Sequence, residues 1–516
     1  LTPPERGWGT RQELSGTGPG KEEYNTPDTI PENTGRSTEA GFKTHSEGFT
    51  GRSPGQNRTG TGTGKERTTT RYSLLASMAG LTKKRMAGGF MSWKKVKWSS
   101  RQGADELRNS LGWSGWGLEA EETREEVRSI IEEVRSKGDR ALVELTRRYD
   151  GVDISSLGIR VGEEEMAAAE GKVAEGFPDA LRQAARNIQN FHRHQVVESF
   201  FFDGEEGMRL GQLIRPLERV GCYIPGGRAS YPSTVLMTVI PARVAGVREI
   251  AVCVPPRPDG RVDPHTLYAL SYLKVKEVYR VGGAQAVAAL ALGTETVKPV
   301  DKIVGPGNAY VTAAKRELFG VVGIDMLAGP SELVVLAEGN ADPDRVAYDL
   351  LAQLEHGPGT KVCLVTPSEE LASAVERVLS REARPEAFSS SLVACVLVSD
   401  LEEGLQAANA LAPEHFTIFA EEVADITSKV KNAGAVFLGA DSPVALGDYA
   451  AGTNHVLPTG GTARFASPLG VYDFVKRTNV IYSNPRANRK LMGAVVELSR
   501  VEGLPWHGES MRKRQA

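Results

Sequence analysis

From about residue 93 onward, apolar and polar positions alternate in two rhythms. Over 123–137, Val127, Ile130, Ile131 and Val134 recur at helical spacing, so the segment reads as an amphipathic helix. Residues 178–195 read as a second, with His192 and His194 on an ordinary exposed polar face. Further on, short apolar runs at 250–254, 277–281, 302–304, 333–337, 362–365, 416–419 and 435–438 read as strands. Between them, 233–245, 284–292, 308–318, 343–355 and 401–411 read as helices. This alternation predicts an α/β fold with mainly parallel sheets, and more than one sheet over this length.

Residues 1–92 lack either rhythm. They are rich in Gly, Thr, Ser, Arg and Glu, with almost no apolar cluster before Tyr72. Such a stretch cannot bury enough surface to offset chain entropy, so a disordered low-complexity tail is expected. The chain begins at Leu1 rather than Met. The tail is therefore expected to be upstream translated sequence, with the native start at Met78, Met86 or Met91. Recurrent acidic residues such as Glu5, Glu13 and Asp28 argue against a transit peptide. The run Gly60–Lys65 resembles a phosphate loop but has Thr59 where the first glycine belongs, and no strand precedes it.

Composition narrows the class without choosing a function. The 516 residues are 40% hydrophobic and 25% charged, with a net charge of −3. That balance suggests neither a nucleic-acid surface nor a membrane partner. Cys222, Cys253, Cys363 and Cys395 are widely spaced, and two lie in apolar runs, so buried reduced thiols in a cytosolic protein are expected.

Three glycine-rich turns fall between a strand and a helix: Tyr223-Ile-Pro-Gly-Gly227, Val281-Gly-Gly-Ala-Gln285 and Gly305-Pro-Gly-Asn308. In open α/β sheets ligands bind at the carboxyl ends of strands, where helix N-termini offer free N–H groups. Tyr223, Gln285 and Asn308 stand at such ends, which points to a nucleotide cleft without the usual dinucleotide fingerprint.

Four of the eight histidines lie in polar motifs of the C-terminal third, each near a carboxylate. Gln353 and His356 are three apart near a helix end, on one face. Glu414-His415 opens a strand and offers two groups for proton transfer. Asp448 precedes Asn454-His455 in a Gly-rich segment, and Glu502 and His507 flank a turn near the C-terminus. Taken singly, each motif also reads as a helix end, a strand entry, a surface loop or a packing hook. A site drawing on Gln, Asp and His would have N and O donors without thiolate, which suits Zn2+, Mn2+ or Co2+.

These motifs together resemble one family, histidinol dehydrogenase. The resemblance runs from about 93 to 510 and also rests on Pro232–Met237, Ala328-Gly-Pro-Ser-Glu332, Glu355-His-Gly-Pro358 and Gly447–His455. One departure is Leu327, where the family usually has Pro. The resemblance implies two Rossmann-like, incomplete dinucleotide-fold domains with smaller helical N-terminal and C-terminal segments. The tail 1–92, the region 93–510 and a basic tail at 511–516 are the expected divisions. It implies oxidation of L-histidinol to L-histidine through a bound aldehyde, with two NAD reduced in sequence and one Zn2+ per subunit.

By resemblance, Gln353, His356, Asp448 and His507 are the zinc ligands, and Glu414 and His415 the proton-transfer pair. Ser331, His455 and Glu502 are substrate contacts, joined by Gln353, His356, His415, Asp448 and His507. Tyr223, Gln285 and Asn308 contact NAD. A cytoplasmic homodimer is implied, with Glu502 and His507 on a hook that completes the partner's site. A neutral His415 imidazole suits the base role near pH 7 or above. Two other readings use the same residues: a metal-dependent hydrolase without nucleotide, and a non-catalytic protein that kept the fold.

Overall fold

The computed structural model describes residues 93–113, 121–226, 230–382, 391–420 and 423–514. These lie in one compact unit, Met86–Ala516. The tail 1–92, with the Gly60–Lys65 run and the three candidate starts, falls outside the described residues, as do Gly227 and residues 515–516.

The first sheet has five parallel strands in the order Glu277–Tyr279, Glu249–Cys253, Arg219–Tyr223, Lys302–Val304 and Gly323–Ile324. Numbered along the chain, that is 3-2-1-4-5. Its strands are apolar on both faces because helices cover both. Val220, Cys222, Ile250 and Val252 pack toward one core cluster, whereas Tyr223, Ala251 and Cys253 pack toward the other. The helix Gly283–Leu292 is apolar but for Gln285 and buried from Ala284 to Ala291, as expected of a helix enclosed on every side.

The second sheet repeats the plan. Its five strands from Glu332 onward, Glu332–Ala337, Lys361–Thr366, Leu392–Leu397, His415–Phe419 and Ala435–Leu438, again run 3-2-1-4-5, all parallel. Lys94–Lys97 adds a sixth parallel strand beside Leu392–Leu397. Leu333 and Val335 face one core cluster and Val334 and Leu336 the other. Each such fully buried aliphatic side chain contributes roughly 1.5–3 kcal/mol, so the central strand tolerates no polar alternation along its length. The fold is α/β with mainly parallel sheets, as the periodicity predicts.

A third sheet is antiparallel, in the order Val475–Tyr482, Arg209–Pro216, Phe200–Asp203. After it the chain forms a helical hairpin, Pro485–Val501 and Pro505–Arg512. The turn at Glu502–Leu504 is closed by Leu504 N–H donating to Ser499 O at 2.8 Å, and Gly503 takes φ 72°. The segment 511–516, expected as a basic tail, instead begins as the end of this helix.

One expectation is corrected here. His192 is fully buried rather than exposed, because Leu181, Ala185, Ile188 and His192 form the buried face of the helix Phe177–Arg193. Its Nδ1–H donates to Ile188 O at 2.8 Å, and burial pushes its pKa down. His194 is exposed as expected. All four cysteines are buried and free. Among the described residues, no helix is long and apolar enough to cross a membrane.

Candidate active site

In the first sheet the strand order reverses between Arg219–Tyr223 and Lys302–Val304, so the turns after these strands diverge and leave a crevice. Gly305, at φ 112°, crosses so close to the Tyr223 backbone that a Cβ would stand 2.1 Å from Tyr223 O. Only glycine fits there. A buried ion pair anchors the turn: Lys315 Nζ reaches Gly305 O and Asp325 Oδ1, both at 2.6 Å, and Gly305 N–H donates to Asp325 Oδ2 at 2.7 Å. Asn308 caps the next helix, its Oδ1 accepting from Val311 N–H at 3.1 Å.

The second sheet meets this crevice with the opposite ends of its strands. Glu332 and His415 are the first residues of two adjacent parallel strands. They open onto a cavity of about 710 Å³ that also takes in Asn308, Ser331, His356, Glu414, Asp448 and His455. The cavity thus lies between carboxyl ends of one sheet and amino ends of the other.

Glu414 and His415 are both buried there, and each is held by the backbone of Glu332. Glu332 N–H donates to Glu414 Oε2 at 2.9 Å. His415 Nδ1–H donates to Glu332 O at 3.2 Å. A carbonyl can only accept, so the proton sits on Nδ1 and Nε2 faces the cavity. Nε2 makes no hydrogen bond and stands 3.5 Å from Asp448 Oδ1. Burial pushes Glu414 up to about 7, against the pull of His415. Burial draws His415 down, but the carboxylates of Glu414 and Asp448 outweigh it and raise the ring to about 9. Both carboxylates therefore favour the protonated form of the ring.

The groups around Asp448 have the character of ligands. Burial would raise its carboxyl, but His415, His455 and His356 hold it below its ordinary value. The mass of protein around His356 lowers its pKa, keeping the imidazole neutral. His455 Nδ1–H donates to Asp448 O at 2.8 Å, which leaves Nε2 to accept from the Thr234 hydroxyl at 3.2 Å. Gln353 is buried, and neither its amide oxygen nor its nitrogen has a partner. Leaving such a group unsatisfied costs about 1–3 kcal/mol, so a buried bare amide calls for a missing partner such as an ion. An amide oxygen, a neutral imidazole and a carboxylate fit Zn2+. Among the described residues, no three His, Cys, Asp or Glu side chains gather into a metal site.

Comparison with known proteins shows the family. The sequence profile described as Histidinol dehydrogenase matches residues 117–515. The histidinol dehydrogenase of Moorella thermoacetica is 49% identical over 410 residues, covering 78% of this chain and 97% of that protein. The chain belongs to the histidinol dehydrogenase family. The histidinol dehydrogenase of Methanothermobacter thermautotrophicus is 46% identical over 404 residues, 77% of this chain and 94% of its own. The crystal structure of histidinol dehydrogenase from Elizabethkingia anophelis superposes with a TM-score of 0.77 at 34% identity, over 82% of this chain and 98% of that one.

Not every residue expected of a histidinol dehydrogenase site reaches this cavity. Tyr223, Gln285 and Gln353 are buried and do not line it. The Tyr223 hydroxyl accepts from Gly283 N–H at 3.1 Å, so it shapes the second glycine turn. Glu502 and His507 are exposed on the C-terminal hairpin and do not line the cavity of their own chain. Leu327, the departure from the family pattern, does line it. Sequence reasoning missed Glu332, Thr234, Lys361 and the Lys315–Asp325 pair. Glu332 stood inside a quoted motif, but nothing local marks a residue that works through its backbone.

Proposed function

We propose that the chain oxidises L-histidinol to L-histidine through an aldehyde that stays bound, reducing two NAD in sequence, as a cytoplasmic homodimer with one Zn2+ per subunit. The observation that carries this reading is the buried Glu414–His415 pair opening onto the same cavity as His356, Asp448 and the crevice-end Asn308. In this reading Gln353, His356 and Asp448 hold the zinc with His507 of the partner subunit. Ser331, His455 and the partner subunit's Glu502 complete the substrate contacts, and the zinc ligands with His415 also meet the substrate. Tyr223, Gln285 and Asn308 form the NAD side, the first two by shaping turns and Asn308 at the cavity wall. The region 93–510 is the catalytic part.

Zinc supplies an orienting charge for the substrate's imidazole and amine, and NAD supplies the hydride acceptor. The protein supplies the proton transfers. His415, with Nδ1–H pinned to Glu332 O, takes the hydroxyl proton at Nε2. The Asp448 carboxylate faces Nε2 at 3.5 Å, so drawing it onto a metal would weaken its pull on a proton there and favour the free base. Glu414 then takes a proton from the water that adds to the aldehyde, and His415 acts again in the second oxidation.

Mixing the protein with L-histidinol and NAD is expected to give two NADH per histidine formed. Chelation should abolish the signal and Zn2+ restore it. Hydrolysis or no turnover, with no NADH absorbance, would favour the rival readings. A finer expectation concerns Glu414→Gln. It should slow the aldehyde-to-acid half at least about tenfold more than the alcohol-to-aldehyde half. Equal slowing of both halves in single-turnover kinetics would remove Glu414 from the water step.

A further inference from the structure

We infer that Glu332 is the positioning residue for the proton-transfer pair, and that it acts by tethering Gly460 rather than by its charge. The inference rests on the reading of Glu414 and His415 given above. Glu332 begins the central strand of the second sheet, with its side chain 1% exposed. Its backbone makes both contacts that orient the pair: N–H to Glu414 Oε2 and C=O from His415 Nδ1. A shift of this one peptide segment therefore moves the acid and the base together.

The side chain explains why that segment stays in place. Oε2 accepts from Gly460 N–H at 3.1 Å, and Oε1 accepts from Lys361 Nζ at 3.1 Å. Gly460 belongs to a loop that also lines the cavity, where Thr459 Oγ1 accepts from Gly329 N–H, three residues before Glu332. The Glu332 carboxylate thus gives the 329–332 segment a second hydrogen-bonded link to the 459–460 loop. A strand start in a parallel sheet can be apolar, and a buried carboxylate costs several kcal/mol unless well paired. Its presence here makes sense as a geometric tether.

The two contacts of the carboxylate can be separated by substitution. Glu332→Gln keeps the length and an acceptor for Gly460 N–H but removes the charge. Lys361 tolerates this, since it lies 5.7 Å from the Trp113 ring centre and its side chain retains 16% exposure. Glu332→Asp keeps the charge and a partner for the flexible Lys361 but falls one methylene short of Gly460. Tethering predicts that Glu332→Gln keeps kcat within about threefold of wild type, while Glu332→Asp loses about tenfold or more, because small misplacements of reacting groups are costly. KM for histidinol and zinc content should stay near wild type in both.

Steady-state kinetics with metal analysis on the purified holoenzyme tests this, with His415→Asn and Glu414→Gln measured alongside. If those two are near wild type, the reading of the pair fails. If they are slow and Glu332→Asp is fast, or its loss tracks KM or zinc, the positioning role fails. Glu332→Gln slowed about tenfold or more overturns tethering whether or not the Asp variant folds.

Discussion

His415→Asn should lower turnover by about a hundredfold to ten-thousandfold, the usual contribution of a positioned general base. The substitution is conservative where it needs to be. The Asn amide nitrogen takes the place of Nδ1 and can still donate to Glu332 O, so the hydrogen bond that anchors the side chain persists. What disappears is Nε2, a buried ring nitrogen without a hydrogen-bond partner. Zinc content should be unchanged, because His415 is not among the proposed ligands. Metal analysis beside steady-state kinetics checks both halves of the expectation. A near-normal rate rules out His415 as the base, and loss of zinc would move it into the ligand set.

The second large effect is a restoration. Glu414→Gln and His507→Ala should each be nearly inactive alone, yet their mixture should regain activity after dissociation and reassociation. In a mixed dimer with shared sites, one site carries both defects and the other carries neither. With random pairing, about a quarter of wild-type activity returns. With sites built from single chains, nothing returns.

The physical basis is the placement of the hairpin. His507 and Glu502 are exposed and do not line the cavity of their own chain. The same hairpin leaves Leu498, Val501 and Trp506 at 63%, 70% and 81% exposed, and clustered apolar exposure of this kind marks an interaction surface. Its own two helices are already joined closely, since a Cβ on Gly508 would stand 2.9 Å from Ser499 Oγ. The hairpin can therefore dock as a formed unit.

The parts that were legible in the sequence share one property: their signal is local. Leu333–Ala337 and Ile250–Val254 read as strands because helices on both faces demand unbroken apolar runs. The ribbon Val475–Tyr482 did not, because its residues are mostly exposed and polar, without the alternation that marks a half-buried strand. The helix Pro485–Val501 was missed although Asn484 caps it, with Oδ1 accepting from Arg486 and Ala487 N–H. Its apolar side chains are largely exposed within one chain and so make no self-contained core pattern. His192 was misread because a lone histidine on a helix gives no sign of which face it occupies until the buried stripe is known.

The residue types of the site, their grouping into motifs, the family and the α/β class are legible along the chain. Each depends on neighbours within a few positions, or on motif order along the chain. Only the tertiary structure brings the starts of Glu332–Ala337 and His415–Phe419 against a crevice at strand ends of the other sheet. It alone decided that Glu332, 82 and 83 positions from Glu414 and His415, orients both through its backbone. It also decided that Glu502 and His507 turn away from their own cavity. Backbone hydrogen bonds between distant strands carry no mark in side-chain type or spacing, because every residue but proline has the same N–H and C=O to offer.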